Sequence, residues 1–418
     1  MEQTKKFRLT GMERAWILYD VGNSAFVLMV ATLIPIFFNA LAADGGLSSV
    51  EYLAYWGYAA SAVTIITAIL SPILGTLADT RGFKKPIFTL CLVVGVAGCC
   101  AMGLAKTWLP FLLIFVFAKV GFSGSLVFYD SMLGDVTTSE RMDEVSSRGY
   151  AWGYIGSCIP FVVCLALVLG AGAIGISQMT ALNIALFITA AWWLVTTLPL
   201  LKNYKQLHYI EVEKHAIRQS FARIGHTIRH LHEDKQVFWF LLAFFCYIDG
   251  VYTIIDMATA YGTALGLDTT GLLLALLVTQ IVAFPSALIF GRLSAKYPST
   301  TLIPVCIAAY AGIAVFAFFL TQQWQFWVLA VIVGMFQGGV QALSRSHFAK
   351  ITPPEKSGEY FGLFDICGKG ASFLGTMIVS VGSQLTGSAN VGVGSLIVLF
   401  IIGFVLFRVS CKEGVITE

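Results

Sequence analysis

Apolar residues come in runs of about 20 along almost the whole chain, each long enough to cross a hydrocarbon core of roughly 30 Å. Polar residues are confined to short stretches between the runs. This pattern predicts twelve spans, at 15–40, 51–78, 86–105, 108–134, 148–172, 176–201, 237–264, 270–294, 300–320, 324–349, 358–384 and 389–409. Pro35, Pro72, Pro160 and Pro285 fall inside spans, where kinks or breaks are expected. The one long polar connection, 202–236, divides the chain into an N-terminal six-helix bundle (1–201) and a C-terminal one (237–418). The expected fold is therefore all-α and polytopic, with twelve transmembrane helices in two bundles.

Composition agrees with that pattern. Of 418 residues, 57% are hydrophobic and only 12% charged, whereas soluble domains carry about 25% charged residues. The polar, basic opening MEQTKKFRLTGMER runs straight into a full-length span and does not read as a cleavable signal. With the N-terminus placed in the cytoplasm, nearly all lysines and arginines outside the span interiors fall on that side. They include Arg81, Lys84, Arg141, Arg148, Arg345 and all seven in 202–236; Lys106 alone falls outside. This bias predicts a multi-pass inner-membrane protein with both termini cytoplasmic. The connector spaces Ile217, Phe221, Ile224, Ile228 and Leu231 at alternating fours and threes among arginines and histidines, the pattern of a basic amphipathic helix on the inner leaflet. His226 and His230 could ligate a metal only with a further cluster that the sequence lacks, so no metal or cofactor is expected. The nine cysteines form no CxxC pair.

An ionisable side chain within a span costs on the order of 3 kcal/mol and needs a reason to be there. Away from the span ends such residues are Asp20, Lys119, Asp130, Asp249, Asp256, Asp365 and Lys369; spans three, six, nine and twelve carry none there. At about 1.5 Å of rise per residue, Lys119, Asp249 and Lys369 come out near the midplane and Asp20 roughly 8 Å from the inner edge. Asp365 and Lys369 share a helix face and can neutralise each other, as a structural or a functional pair. Lys119 has no opposite charge at helical spacing, so its partner must lie on another helix or on a substrate anion. In span ten, Gln337 and Gln341 share a face with Arg345; they would orient a polar solute and hold a carboxylate, or bond a neighbouring helix and rest at the interface. GLFDICGKG at 362–370 lacks the spacing and the Ser/Thr of a phosphate-binding loop, and no nucleophile–base arrangement suggests an enzyme.

Two similar stretches each close an apolar run: GTLADTRGFKK from Gly75 to Lys85 and GRLSAKYP from Gly291 to Pro298. The first resembles the signature G-x-L-A-D-R-x-G-R-K of the major facilitator superfamily, matched by Gly75, Leu77, Ala78, Asp79, Gly82 and Lys84, with Thr80 and Phe83 departing. In the second copy Ala295 replaces the aspartate. WILYDVGNSAF (16–26) and GGVQALSRSHFAKITPPEKSGEYFGLFDICGKGASFLG (338–375) are similar to the vacuolar amino-acid effluxer-like branch of that superfamily related to autophagy. The resemblance covers the whole chain. It implies two six-helix bundles, a central cavity lined by helices one, four, seven and ten, and alternating access. It also places Asp79 at the inner gate facing the start of span eleven, with Arg81, Lys84, Arg141 and Arg148 around it and Arg141 or Arg148 as its ion partner.

The functional expectation is secondary transport of a small polar solute, an amino acid or similar zwitterion, coupled to protons. Asp20 is the first proton carrier and Asp249 the second. Asn23, Lys119, Asp249, Gln337, Gln341 and Arg345 would bind substrate. A lipid or drug exporter of the same fold, or a solute sensor, are the other readings. Expected partners are the bilayer, a small-molecule substrate and protons, with no nucleic acid, for a functional monomer.

Overall fold

The computed structural model describes residues 7–211, 225–227 and 229–416. Its helices, in chain order, are α1 (Gly11–Ala31), α2 (Leu33–Asp44), α3 (Ser49–Ala78), α4 (Lys84–Met102), α5 (Trp108–Ser131), α6 (Leu133–Val136), α7 (Met142–Leu169) and α8 (Gln178–Asn203). They continue with α9 (Lys235–Ala264), α10 (Thr269–Leu293), α11 (Ser299–Phe318), α12 (Gln323–Ile351), α13 (Ser357–Thr386), α14 (Ala389–Gly394) and α15 (Ile397–Ile416). Among the described residues, eleven helical segments are long and apolar enough to cross a membrane, α1–α2 counting as one and α14–α15 as another. The 30-residue α13 is as long as these segments and crosses the bundle beside α3 and α9.

Local sequence explains the ends and breaks. Thr10 caps α1 in a reciprocal pair with Glu13, which satisfies backbone donors that the first helical turn leaves unpaired. Pro35 offers no N–H to the turn before it, and the first span breaks at Thr32 into α1 and α2. Pro72, Pro160 and Pro285 instead lie inside continuous helices. The expected amphipathic helix at Ile217, Phe221, Ile224 and Ile228 lies outside the described residues, as does the side chain of Lys369. Among the described histidines, His230 turns Nδ1 toward the carbonyl of His226, 2.8 Å away.

The helices bury two apolar cores. One draws its members from Trp16 to Tyr204; the other from Val237 to Phe407, joined by Val127. The two halves share an internal detail that reveals their repeat. Tyr19 in α1 bonds Ser125 in α5, and Tyr247 in α9 bonds Ser344 in α12, each at 2.6 Å and each linking the first to the fourth span of its half. Parallel repeats of this kind characterise the two halves of major facilitator folds. Large apolar side chains such as Leu90, Phe117, Val195 and Ile401 remain more than half exposed, as suits surfaces that face lipid.

The end of the bundle that carries both chain termini, called here the terminal face, is where the halves are tied together. Glu13 reaches Thr137 and Arg141 there, and Lys235 approaches Glu413. The 75–85 loop, the 133–142 turn and the start of α13 meet on the same face.

Candidate functional site

At the terminal face, α3 runs without interruption to Ala78, and Asp79 caps it. The chain then turns through Gly82, whose φ of +79° is open to glycine and strained for other residues, and α4 begins at Lys84. Asp79 is fully buried and accepts hydrogen bonds from the backbone N–H groups of Gly358 (2.7 Å) and Glu359 (2.8 Å). These amides open α13, where the first N–H groups lack intrahelical partners and the helix dipole favours a negative charge. Lys84, equally buried, donates to Ser357 Oγ at 2.7 Å and lies 3.6 Å from Asp79 and 3.9 Å from Asp135. Burial pushes the Asp79 carboxyl up to about 6, against Lys84 and the two amides, which pull it down, and with the nearby Glu359 charge adding to the rise. Gly75 and Gly358 bring the backbones of α3 and α13 into direct contact: a Cβ on either would run into the other's carbonyl oxygen.

A strap formed by 204–211 clasps this loop from below. Gln206 accepts from Gly82 N–H and donates to the Ala78 carbonyl, Ile210 pairs with the backbone of Asp79 and Arg81, and Arg81 forms an exposed 2.8 Å ion pair with Glu211. Tyr204 and the backbone and ring of His208 converge on Asp135. Arg141 and Arg148 are not partners of Asp79. Arg141 grips Glu13 through two bonds of 2.7 Å, Arg148 pairs with Glu144 one turn earlier at 2.7 Å, and both stack on Phe7. The reason is proximity: each arginine finds a carboxylate beside its own helix start, while Asp79 is already saturated by α13 and Lys84.

Deeper, one guanidinium joins the halves. Arg345 of α12 is 2% exposed. It donates to Ser146 Oγ (2.9 Å), to the Ser146 carbonyl (3.0 Å) and to Asp130 (3.0 Å), and lies 3.8 Å from Asp20. Its plane sits over the rings of Tyr150 (4.3 Å), Trp16 (4.7 Å) and Tyr129 (5.4 Å). Asp20 also accepts from Tyr129 Oη at 3.1 Å and from Asn23 Nδ2 at 3.4 Å. A charge buried so far from water is tolerable only when paired and hydrogen-bonded, and here both conditions hold. Between this cluster and the terminal face, Asp143 takes bonds from Ser346 and Lys350, the latter at 2.6 Å.

The remaining expected residues are spread out. Asp249 is fully buried and accepts from the Gly375 amide through both oxygens (2.9 and 2.8 Å) and from Thr253 at 3.3 Å, so α13 rather than a cavity occupies it. Lys119 sits 4.7 Å over the Phe122 ring, and its ammonium is near enough to attract the exposed Asp256 carboxylate of α9. Asp365 accepts from Ser71 at 2.8 Å. Gln337 is buried with Oε1 unpartnered, beside Tyr154 and on the wall of an apolar chamber with Thr253, Met257, Thr279 and Gln280. The chamber lies within the C-terminal half and has a cavity volume of about 60 Å³. Gln341 is half-buried one turn away. The structure thus brings Asp20, Asn23 and Arg345 together, and separately Asp79 and Lys84.

Sequence reasoning missed Asp135, Asp143, Lys350 and the rings of Tyr129 and Tyr150. Asp135 and Asp143 lie in the polar stretch between spans, where a carboxylate raises no alarm, and aromatic residues in an apolar helix read as packing. Asp143 and Lys350 are separated by 207 positions, so no spacing rule links them.

Comparison with known proteins decides the family. A family described as "Vacuole effluxer Atg22 like" matches residues 12–138 and 133–415. The chain belongs to the Atg22-like family of the major facilitator superfamily. It is 44% identical over 411 residues to the MFS-type transporter YxiO of Bacillus subtilis (strain 168), covering 97% of this chain and 96% of that one. Autophagy-related protein 22 of Coccidioides immitis (strain RS) is 26% identical over 287 residues, 62% of this chain and 47% of that longer protein. Among solved structures, the chain superposes on FucP in the outward conformation with a TM-score of 0.72 at 15% identity (96% and 97% covered). It superposes on the human organic anion transporter MFSD10 with a TM-score of 0.71 at 13% identity (95% and 98% covered). At such identities the likeness establishes the fold. As an Atg22-like member of the superfamily, the protein is a multi-pass membrane transporter of solutes and not an enzyme.

Proposed function

We propose that the protein is a secondary transporter of an amino acid or a similar small zwitterion, linked to protons, in the inner membrane. The terminal face then looks into the cytoplasm, and the chain works as a monomer. The observation that carries this reading is the buried Asp20–Arg345–Asp130 cluster, which pairs opposite charges from the two halves at membrane depth. Alternating access requires that such pairs form and break in turn, exposing a carboxylate to water and then drying it.

In this reading Asp20 carries the coupling proton, with Asp249 as the second choice. Asp20 or Asp249 accepts the substrate ammonium, and Lys119 or Arg345 receives its carboxylate, with Asn23, Gln337 and Gln341 orienting it. Asp79 and Lys84 close the cytoplasmic gate, and Arg81, Arg141 and Arg148 stabilise the loops that carry it. Asp365 and Lys369 serve as a charge pair within α13. The apolar chamber beneath Gln337 favours a second reading, export of a lipid-like or drug-like compound.

The test is a screen of amino acids, peptides, organic anions and apolar drugs in proteoliposomes with an imposed pH gradient. Uptake of an amino acid that is lost in Asp20→Asn and in Lys119→Ala, with binding retained in the first alone, supports the reading. Transport confined to apolar compounds supports the second.

A further inference from the structure

The surroundings of Arg345 are built almost wholly by the other half of the molecule. Trp16 and Asp20 come from α1, Tyr129 and Asp130 from α5, and Ser146 and Tyr150 from α7. Three of these groups, Trp16, Tyr129 and Asp20, are held by contacts among themselves that do not involve Arg345. Trp16 Nε1 donates to the Tyr129 carbonyl at 2.9 Å, the Trp16 and Tyr129 rings stack at 4.3 Å, and Tyr129 Oη donates to Asp20. Trp16 and Tyr129 are fully buried, and Gly149 opens the remaining wall: a Cβ there would stand 3.0 Å from Asp20 and 3.2 Å from the guanidinium. The result is a box of three aromatic faces and two carboxylates, whose Trp16–Tyr129–Asp20 side is held independently of Arg345. Aromatic faces with nearby carboxylates recognise organic cations.

The box holds two negative charges and, in the closed state, one positive charge that belongs to the opposite half. When the halves part at the terminal face, Arg345 must leave with α12. The two carboxylates then face solution beside three aromatic rings without their counter-charge. We propose that this box is an organic-cation site of the N-terminal half, filled by Arg345 while the terminal face is closed and by a guanidinium or ammonium group from solution once it opens. Arg345 is then a built-in competitor of the ligand, and ligand binding drives the gate open. The inference rests on the alternation proposed above for the parting of the halves, but not on an amino acid as cargo.

The test uses the purified full chain and methylguanidinium chloride against sodium chloride at equal ionic strength. Arg345→Ala should melt lower than the native protein, and methylguanidinium should restore most of the lost melting temperature while raising that of the native protein far less, because Arg345 competes for the box there. Adding Asp130→Asn to Arg345→Ala should abolish the restoration. Equal effects of methylguanidinium and sodium on Arg345→Ala would overturn the proposal, and neutralisation of the box by protons alone would give that result. Should Arg345→Ala not fold, spin labels at the exposed Ser139 and Glu355, one on each half, supply the second readout in the otherwise native sequence. Methylguanidinium should lengthen the distance between them, and an unchanged distance overturns the proposal. Neither readout requires transport, so methylguanidinium binding without amino-acid uptake refutes the cargo reading alone.

Discussion

Gly358→Ala should hold the terminal face open. In the closed state a Cβ on Gly358 would press on the Gly75 carbonyl oxygen and stand 2.8 Å from Asp79 Oδ1 and 3.2 Å from its carboxyl carbon. All three obstacles are backbone or a carboxylate already fixed by two amides, so the clash cannot be relieved by rotating a side chain. Overpacking of this kind costs about 1–3 kcal/mol. Displacing Asp79 from the α13 amides adds to it, since a hydrogen bond to a charged group is worth about 1.5–3 kcal/mol. Once the halves part the clash vanishes, and alanine there favours the helix over glycine by about 0.5–1 kcal/mol. The overpacking alone shifts the closed-to-open ratio by roughly 5–150-fold. The assay is the distance distribution between spin labels at Ser139 and Glu355, with thermal melting as the control for folding. A folded Gly358→Ala protein with the native closed population would refute the reasoning, because it would mean that the α3–α13 contact is not part of closure.

Three further outcomes follow from the same geometry. Asp79 is raised to about 6 in the closed gate and returns toward the ordinary carboxylate range when wetted. The closed state therefore binds the proton better, its advantage being full at the acid end and lost as pH rises through 6. Acidification from pH 7.5 to pH 5 should shorten the Ser139–Glu355 distance, and Asp79→Asn should flatten that response. Gly375→Ala would place a Cβ against Thr253 Oγ1 and 2.7 Å from Asp249, so the melting temperature should fall by an amount matching about 1–3 kcal/mol; an unchanged value would show that Asp249 does not brace α13. Finally, Lys119→Asp and Asp256→Lys should each impair transport while the double exchange recovers it, if attraction across the halves is what these residues supply. A double exchange no better than either single variant would point to separate roles.

The sequence made the spans legible because their cause is local: a run of apolar residues of a given length has few other uses. It located the first-span break near Pro35 for the same reason, and family likeness carried the approach of Asp79 to the start of α13. What it could not reveal were pairings whose partners lie far apart in the chain. Arg345 meets Asp130 across 215 positions, and Asp79 meets Glu359 across 280. The assignment of Arg141 to Asp79 failed because Glu13, reading as an ordinary capping residue, offered a nearer carboxylate that also satisfies Thr137. Asp249 looked like a cavity residue by depth alone, yet depth does not say which way a side chain turns, and here it turns to the Gly375 amide. The connector read as a polar link carrying a basic amphipathic helix, while its first residues are bonded to the gate loop through their backbone, which no side-chain pattern announces.

The central claim is that Asp20 couples a proton to the passage of a small zwitterion. The most direct measurement is amino-acid uptake against its own gradient in proteoliposomes under an imposed pH difference, compared with gradient-free exchange, for the native protein and Asp20→Asn. The account predicts concentrative uptake by the native protein, and in Asp20→Asn exchange without concentration. Concentrative uptake that survives Asp20→Asn at the native rate would contradict it.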